Sequence, residues 1–136
     1  MAQKTILIIE DETSWHNLLR RILGGAGYNV HIAANCADGV KLAELHKPDC
    51  ILSDFHLPDG DAVCICAAIK ANKNLKNIPI IIFSSDPGVE ITAYEQCRAN
   101  TFLLKGLAAL EALPVTIEKI LRPIISCPII SVKSDD

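Results

Sequence analysis

Apolar residues fall along this chain in two recurring patterns. Short, nearly unbroken runs such as Ile6-Leu7-Ile8-Ile9 and Ile80-Ile81-Ile82-Phe83 alternate with longer stretches whose apolar positions recur every three or four residues. The first pattern suits strands covered on both faces, and the second suits amphipathic helices. A strand is expected over Lys4 to Ile9, followed by a helix in which Trp15, Leu18, Leu19, Ile22 and Leu23 form one stripe. Gly24-Gly25 and Gly27 end it. Tyr28 to Ala34 reads as a second strand. Asn35 then caps a helix with Asp38 in its first turn and Val40, Leu42, Ala43 and Leu45 as apolar contacts, and Lys47-Pro48 closes it.

Asp49 to Ser53 is a short third strand, and the loop from Asp54 to Gly60 leads into a third helix near Asp61 with Ala62, Ile65, Cys66 and Ile69 at helical spacing. A polar link from Asn72 to Asn77 precedes a fourth strand at Pro79 to Phe83. A fourth helix over roughly Val89 to Cys97 and a fifth strand at Thr101 to Leu104 follow. The fifth helix is expected over Leu113 to Leu121, with Pro114 in its first turn and Leu107 to Ala112 as a turn or separate short helix, because an internal proline argues against one continuous helix. Pro123 to Val132 is apolar for a terminal stretch and is expected to pack back on the domain or join an interface, with Lys133 to Asp136 frayed.

Strand and helix therefore alternate with short links. Right-handed crossovers turn that order into an α/β fold, a doubly wound, five-stranded parallel sheet with helices on both faces. Functional loops of such a sheet gather beyond the carboxyl ends of its strands. The acidic residues Glu10, Asp11 and Asp54 all fall there.

Composition narrows the picture. The 136 residues are 50% hydrophobic but only 4% aromatic, enough for one aliphatic core. A net charge of -3 with no Lys/Arg block gives no broad attraction for nucleic acid, so direct nucleic-acid binding is not expected. No run approaches the roughly 18 apolar residues of a membrane-spanning helix, and the start lacks a secretory pattern, so a cytoplasmic protein without membrane contact is expected. Cys36, Cys50, Cys64, Cys66, Cys97 and Cys127 are read as free thiols, and Cys64-Ile65-Cys66 lacks the usual zinc spacing.

The residues that carry chemistry are Glu10 and Asp11, Asp54, Ser84 and Lys105, each at or just beyond an expected strand end. Taken singly, such carboxylates are commonly caps or solvated loop residues, Ser84 a strand-end hydrogen-bonding group and Lys105 a surface charge. Together they repel as carboxylates and call for a cation. Mg²⁺, for which Mn²⁺ can substitute, accepts hard oxygen ligands beside a phosphate: Glu10 or Asp11 directly or through water, one oxygen of Asp54, and the backbone carbonyl of His56. A phosphorylated imidazole could then present its phosphorus to Asp54, with Lys105 and Ser84 stabilising the equatorial oxygens.

The segments ILIIEDE at Ile6 to Glu12, ILSDFHLPDGDA at Ile51 to Ala62, PIIIFSS at Pro79 to Ser85 and FLLKG at Phe102 to Gly106 closely resemble the receiver domains of bacterial two-component response regulators. The resemblance covers about Lys4 to Leu121 and implies a flavodoxin-like strand order of 2-1-3-4-5. It implies residues 1–122 as the receiver domain and 123–136 as an extension without a separate effector domain. Its roles carry over as metal binding by Glu10, Asp11 and Asp54, phosphate acceptance by Asp54, phosphate contact by Ser84 and Lys105, and a switch made of Ser84 and Phe102. The partners implied are a histidine kinase or histidine phosphotransfer protein, a downstream protein target, and a second copy in a homodimer. Such a protein signals, with only self-catalysed phosphoryl transfer and slow autodephosphorylation. The alternative kept beside it is a phosphorylation-independent interaction domain with a retained acidic pocket.

The chain departs from the family pattern in places. Gly106 stands where the family usually has Pro after the Lys, so a trans bond and a looser loop are expected. Arg98 and Ala62 replace common glycines, implying altered turns. His56, two residues after Asp54, is expected to border the phosphate path and modify the lifetime of the phosphoryl group.

Overall fold

A computed structural model describes residues 3–122; the expected apolar extension and Cys127 lie outside the described residues. Five strands, β1 (Thr5–Ile9), β2 (Asn29–Ala33), β3 (Cys50–Ser53), β4 (Ile80–Ser84) and β5 (Thr101–Leu104), form one sheet in the order β2-β1-β3-β4-β5. Every pairing is parallel. The helices that follow them in turn are α1 (Thr13–Gly25), α2 (Cys36–His46), α3 (Ala62–Ala71), α4 (Glu90–Glu95) and α5 (Leu107–Leu121).

Side-chain alternation along each strand divides the apolar runs between two cores. Leu7, Ile9, Ile51, Ile80 and Ile82 join Ala43, Ile65, Ile69 and Ala93 from α2, α3 and α4 on one face. Ile6, Ile8, Leu52, Ile81 and Phe83 join Leu19, Leu23, Leu113 and Ile117 from α1 and α5 on the other. Gly39 lets α2 lie close on β1, since a Cβ there would come within 2.6 Å of Ile9 Cδ1. Asn35 caps α2 as expected, its Oδ1 accepting from Asp38 N at 2.8 Å.

The largest difference from the sequence expectation is α5, which runs unbroken from Leu107 through Pro114 to Leu121. Leu107 to Ala112 is neither a turn nor a separate helix, and Pro114 lies inside α5, outside its first turn. Proline leaves the Leu110 carbonyl without its usual amide partner. The helix persists because Ala109, Leu113 and Ile117, four residues apart, bury one stripe against the sheet on both sides of the proline.

Two smaller differences lie near the strand ends. The Asp54–Gly60 loop contains a minimal antiparallel ladder, His56 and Leu57 against Asp61 and Gly60. The segment expected as a helix from Val89 begins instead with a 3₁₀ turn at Pro87–Val89, and α4 ends at Glu95. Arg98 adopts a left-handed backbone with φ of 54°, which explains why glycine would suit that turn.

Candidate functional site

Backbone bonds that extend the strand ladders fix where the site residues stand. Glu10 N donates to Ala33 O at 2.9 Å, Asp54 N to Ile9 O at 2.9 Å, and Lys105 N to Ser84 O at 2.8 Å. The side chains of Glu10, Asp54 and Lys105 thus leave β1, β3 and β5 at the same edge of the sheet and meet. The Lys105 ammonium lies 2.6 Å from Glu10 Oε1 and 3.0 Å from Asp54 Oδ2. Only 5% of the Lys105 side chain, 2% of Glu10 and 12% of Asp54 remain accessible, so these charges interact largely out of water.

One oxygen from each of Glu10, Asp11 and Asp54 falls within 4.8 Å of the others. Glu10 Oε2 accepts from Glu12 N at 3.1 Å, and Asp54 Oδ1 accepts from Phe55 N at 2.7 Å. Glu10 Oε1 is buried and close to the lysine, but the approach is off the hydrogen-bonding line and leaves it without a well-aligned donor. Three hard oxygens this close together fit a small divalent cation such as Mg²⁺.

Burial pushes the Glu10 carboxyl above its ordinary pKa, against the lowering effect of the adjacent Lys105 ammonium and the Glu12 amide; Asp54 adds repulsion. For Lys105, burial opposes the charge, yet its close contacts with the Glu10 and Asp54 carboxylates outweigh it and raise its pKa. Both directions follow from the same arrangement. The lysine faces two carboxylates, whereas Glu10 shares one lysine with a competing acid.

The other expected residues surround this cluster. Ser84 ends β4, is buried, and its Oγ accepts from Asp86 N at 3.2 Å. Phe102 is half-buried on β5, and its amide donates to the Tyr94 hydroxyl on α4 at 3.0 Å. His56 is exposed and pairs through Nε2 with Asp86 Oδ2 at 2.8 Å, joining the loop after Asp54 to the loop after Ser84. Gly106 has φ of 157°, far from the value a proline ring imposes, and the described peptide bonds are all trans.

Sequence reasoning missed several neighbours. Trp15 and Phe83, read only as core apolar positions, place their rings beside the Lys105 ammonium. His16 Nε2 hydrogen-bonds the Glu10 carbonyl. Asp59 accepts from the amides of Cys36 and Ala37 at 2.7 and 3.1 Å, tying the loop after Asp54 to the start of α2. No spacing signal separates these residues from ordinary helix and loop positions. The described cysteines are free, and burial pushes the thiols of Cys36 and Cys50 up to about 12, which makes them inert packing groups.

A family model for the response regulator receiver domain matches residues 6–117. The chain belongs to this family. It is 33% identical over 111 residues to the KDP operon transcriptional regulatory protein KdpE of Escherichia coli, covering 79% of this chain and 48% of that protein. It thus spans about half of that relative, and less than two thirds of other curated relatives such as the Brucella anthropi polar-differentiation regulator DivK, at 63%. Among solved structures, a two-component response regulator from Clostridium difficile superposes with a TM-score of 0.80 at 27% identity, covering 91% of this chain and 100% of that one. The receiver domain of the Pseudomonas aeruginosa sensor histidine kinase PA1611, solved with a magnesium ion in its active-site cleft, superposes at 0.77 with 26% identity, covering 88% and 98%. The flavodoxin-like strand order expected from the resemblance is the order observed in this receiver domain.

Proposed function

We propose that this receiver domain accepts a phosphoryl group on Asp54 from the phosphohistidine of a histidine kinase or histidine phosphotransfer protein. The observation that carries the reading is the placement of Asp54: a partly accessible carboxylate, 3.0 Å from a buried ammonium and grouped with Glu10 and Asp11.

An Asp54 oxygen forms the new O–P bond while the P–N bond to the donor imidazole breaks, the nitrogen keeping the electron pair. Lys105 neutralises charge gathering on the phosphoryl oxygens. Ser84, whose Oγ accepts from Asp86 N, keeps its own proton to donate to one of them. Glu10, Asp11, Asp54 and the His56 carbonyl would hold Mg²⁺, or Mn²⁺ in its place, which when bound supplies charge neutralisation at the phosphoryl group. Water attack at phosphorus later regenerates the carboxylate and releases inorganic phosphate.

The output is a change of packing. Engagement of Ser84 by phosphate shifts the β4 end toward Asp54, and Phe102, tied by its amide to Tyr94, repacks between β5 and α4. The face made by α4, β5 and α5 then changes its affinity for a downstream protein or a second copy of the domain. No described helix is long and apolar enough to cross a membrane.

Acetyl phosphate and Mg²⁺ followed by intact-mass measurement tests the acceptor. One phosphoryl group on the wild type and none on Asp54→Asn supports it; equal labelling of both defeats it. Partner capture with and without phosphodonor tests the output, and unchanged affinity would return the domain to a phosphorylation-independent role.

A further inference from the structure

Lys105 reaches the acidic cluster from the short link between β5 and α5. It directly follows β5, an edge strand, and precedes Gly106 with φ of 157°, around which a Cβ would meet nothing within 4 Å. The hydrogen bond from its backbone N–H to Ser84 O fixes where the side chain starts. The location of its ammonium, four methylenes away, must be set by what the side chain touches.

Two aromatic rings supply that contact. The Lys105 Nζ lies 5.1 Å from the ring centroid of Trp15 and 5.8 Å from that of Phe83. The rings meet edge to face, centroids 5.3 Å apart and planes at 86°. Phe83 is fixed in β4 and almost wholly buried, while Trp15 projects from the first turn of α1, immediately after the Glu10-Asp11 pair. The ammonium therefore contacts two carboxylates and lies within cation–π range of two rings.

We propose that Trp15 is a positioning residue for phosphoryl transfer, holding the Lys105 ammonium at Asp54 by a cation–π contact. The inference rests on the Asp54 reading and extends it to a residue outside the acidic set. A ring suits this task better than a third carboxylate. Its attraction to the ammonium is short-ranged and carries no net charge or titration, so the lysine stays ionised and aimed yet free to shift onto an incoming phosphoryl oxygen. Phe83 completes the contact but is also core, so Trp15 is the member that can be changed with less damage.

The experiment uses the whole chain as wild type, Trp15→Leu, Trp15→Phe, Lys105→Met and the Trp15→Leu/Lys105→Met double variant. Trp15 is the sole tryptophan, so its fluorescence in metal-free buffer reports the contact without any phosphorylation. Lys105→Met should change the emission; a spectrum indifferent to the loss of the ammonium overturns the proposal. Initial labelling rates with acetyl phosphate and saturating Mg²⁺ should fall about tenfold in Trp15→Leu and stay within about threefold of wild type in Trp15→Phe. Magnesium affinity should change less than about twofold in both, because the carboxylates remain.

The double variant separates positioning from general damage. If Trp15 acts through Lys105, Trp15→Leu adds no further slowing in the Lys105→Met background. A full, independent loss there, or a Trp15→Leu rate equal to wild type, overturns the inference. A wild-type chain that is never labelled at Asp54 removes the underlying reading and this inference together; a labelled wild type with indifferent Trp15 variants removes the inference alone.

Discussion

Replacing Lys105 by Met keeps most of the buried stem while deleting the charge that separates Glu10 from Asp54. At an effective dielectric of about 20, contacts of 2.6 and 3.0 Å correspond to roughly 6 kcal/mol of attraction each before desolvation. Withdrawal of the ammonium from water offsets much of this. The remaining cost of leaving buried carboxylates without their cation is about 3 to 5 kcal/mol.

Glu10 sets the pH dependence. Its folded-state pKa is raised already, so the folded chain holds a proton that the unfolded chain releases, and this contribution to stability falls as pH rises from the ordinary 4.5 through the folded value. Loss of Lys105 removes two lowering influences, so in Lys105→Met the fall extends to higher pH. Urea unfolding in EDTA across pH 5 to 8 measures both effects. Mg²⁺ should recover more stability in the variant than in wild type, because the lysine no longer competes for the same oxygens. A variant within about 1 kcal/mol of wild type throughout, with an equal response to Mg²⁺, would refute the claim that this ammonium is the counter-charge of the cluster.

Other outcomes follow from the backbone and caps. Arg98→Gly should raise stability by about 1 kcal/mol in urea, because φ of 54° costs an exposed arginine more than a glycine. Pro114→Ala should stabilise by about 1 to 3 kcal/mol by giving the Leu110 carbonyl its helical donor; an unchanged urea midpoint would mean that the proline is relieved in another way. Backbone amides of Cys36 and Ala37 hold Asp59 below its ordinary pKa of 3.8, so its contribution is complete above that value and is lost as pH falls through the lower folded value. Asp59→Ala should therefore lower the melting temperature at neutral pH, with the gap to wild type closing in that acid window.

Much of this structure was legible because burial on two faces leaves strong periodic signals. The run Ile80 to Phe83 and the bounds of β5 could be read directly, as could the Asn35 cap. The acidic cluster and Lys105 were also foreseeable, since strand ends on one edge of a parallel sheet converge whatever the loops do. What escaped depends on tertiary contact. Pro114 reads locally as a break, but the stripe of Ala109, Leu113 and Ile117 spans it. Trp15 fits a helical stripe, and only the path of the Lys105 side chain brings the ring to the ammonium. The His56–Asp86 pair joins loops thirty residues apart, a separation no local pattern records.

The central claim is that Asp54 carries the phosphoryl group. Borohydride reduction of the chain after acetyl phosphate and Mg²⁺ treatment, followed by peptide mass mapping, reads the position directly by converting an aspartyl phosphate to homoserine. Conversion at Asp54 alone is the predicted result. A modification found instead at Glu10, Asp11, His56 or Ser84, with Asp54 intact, would contradict the account.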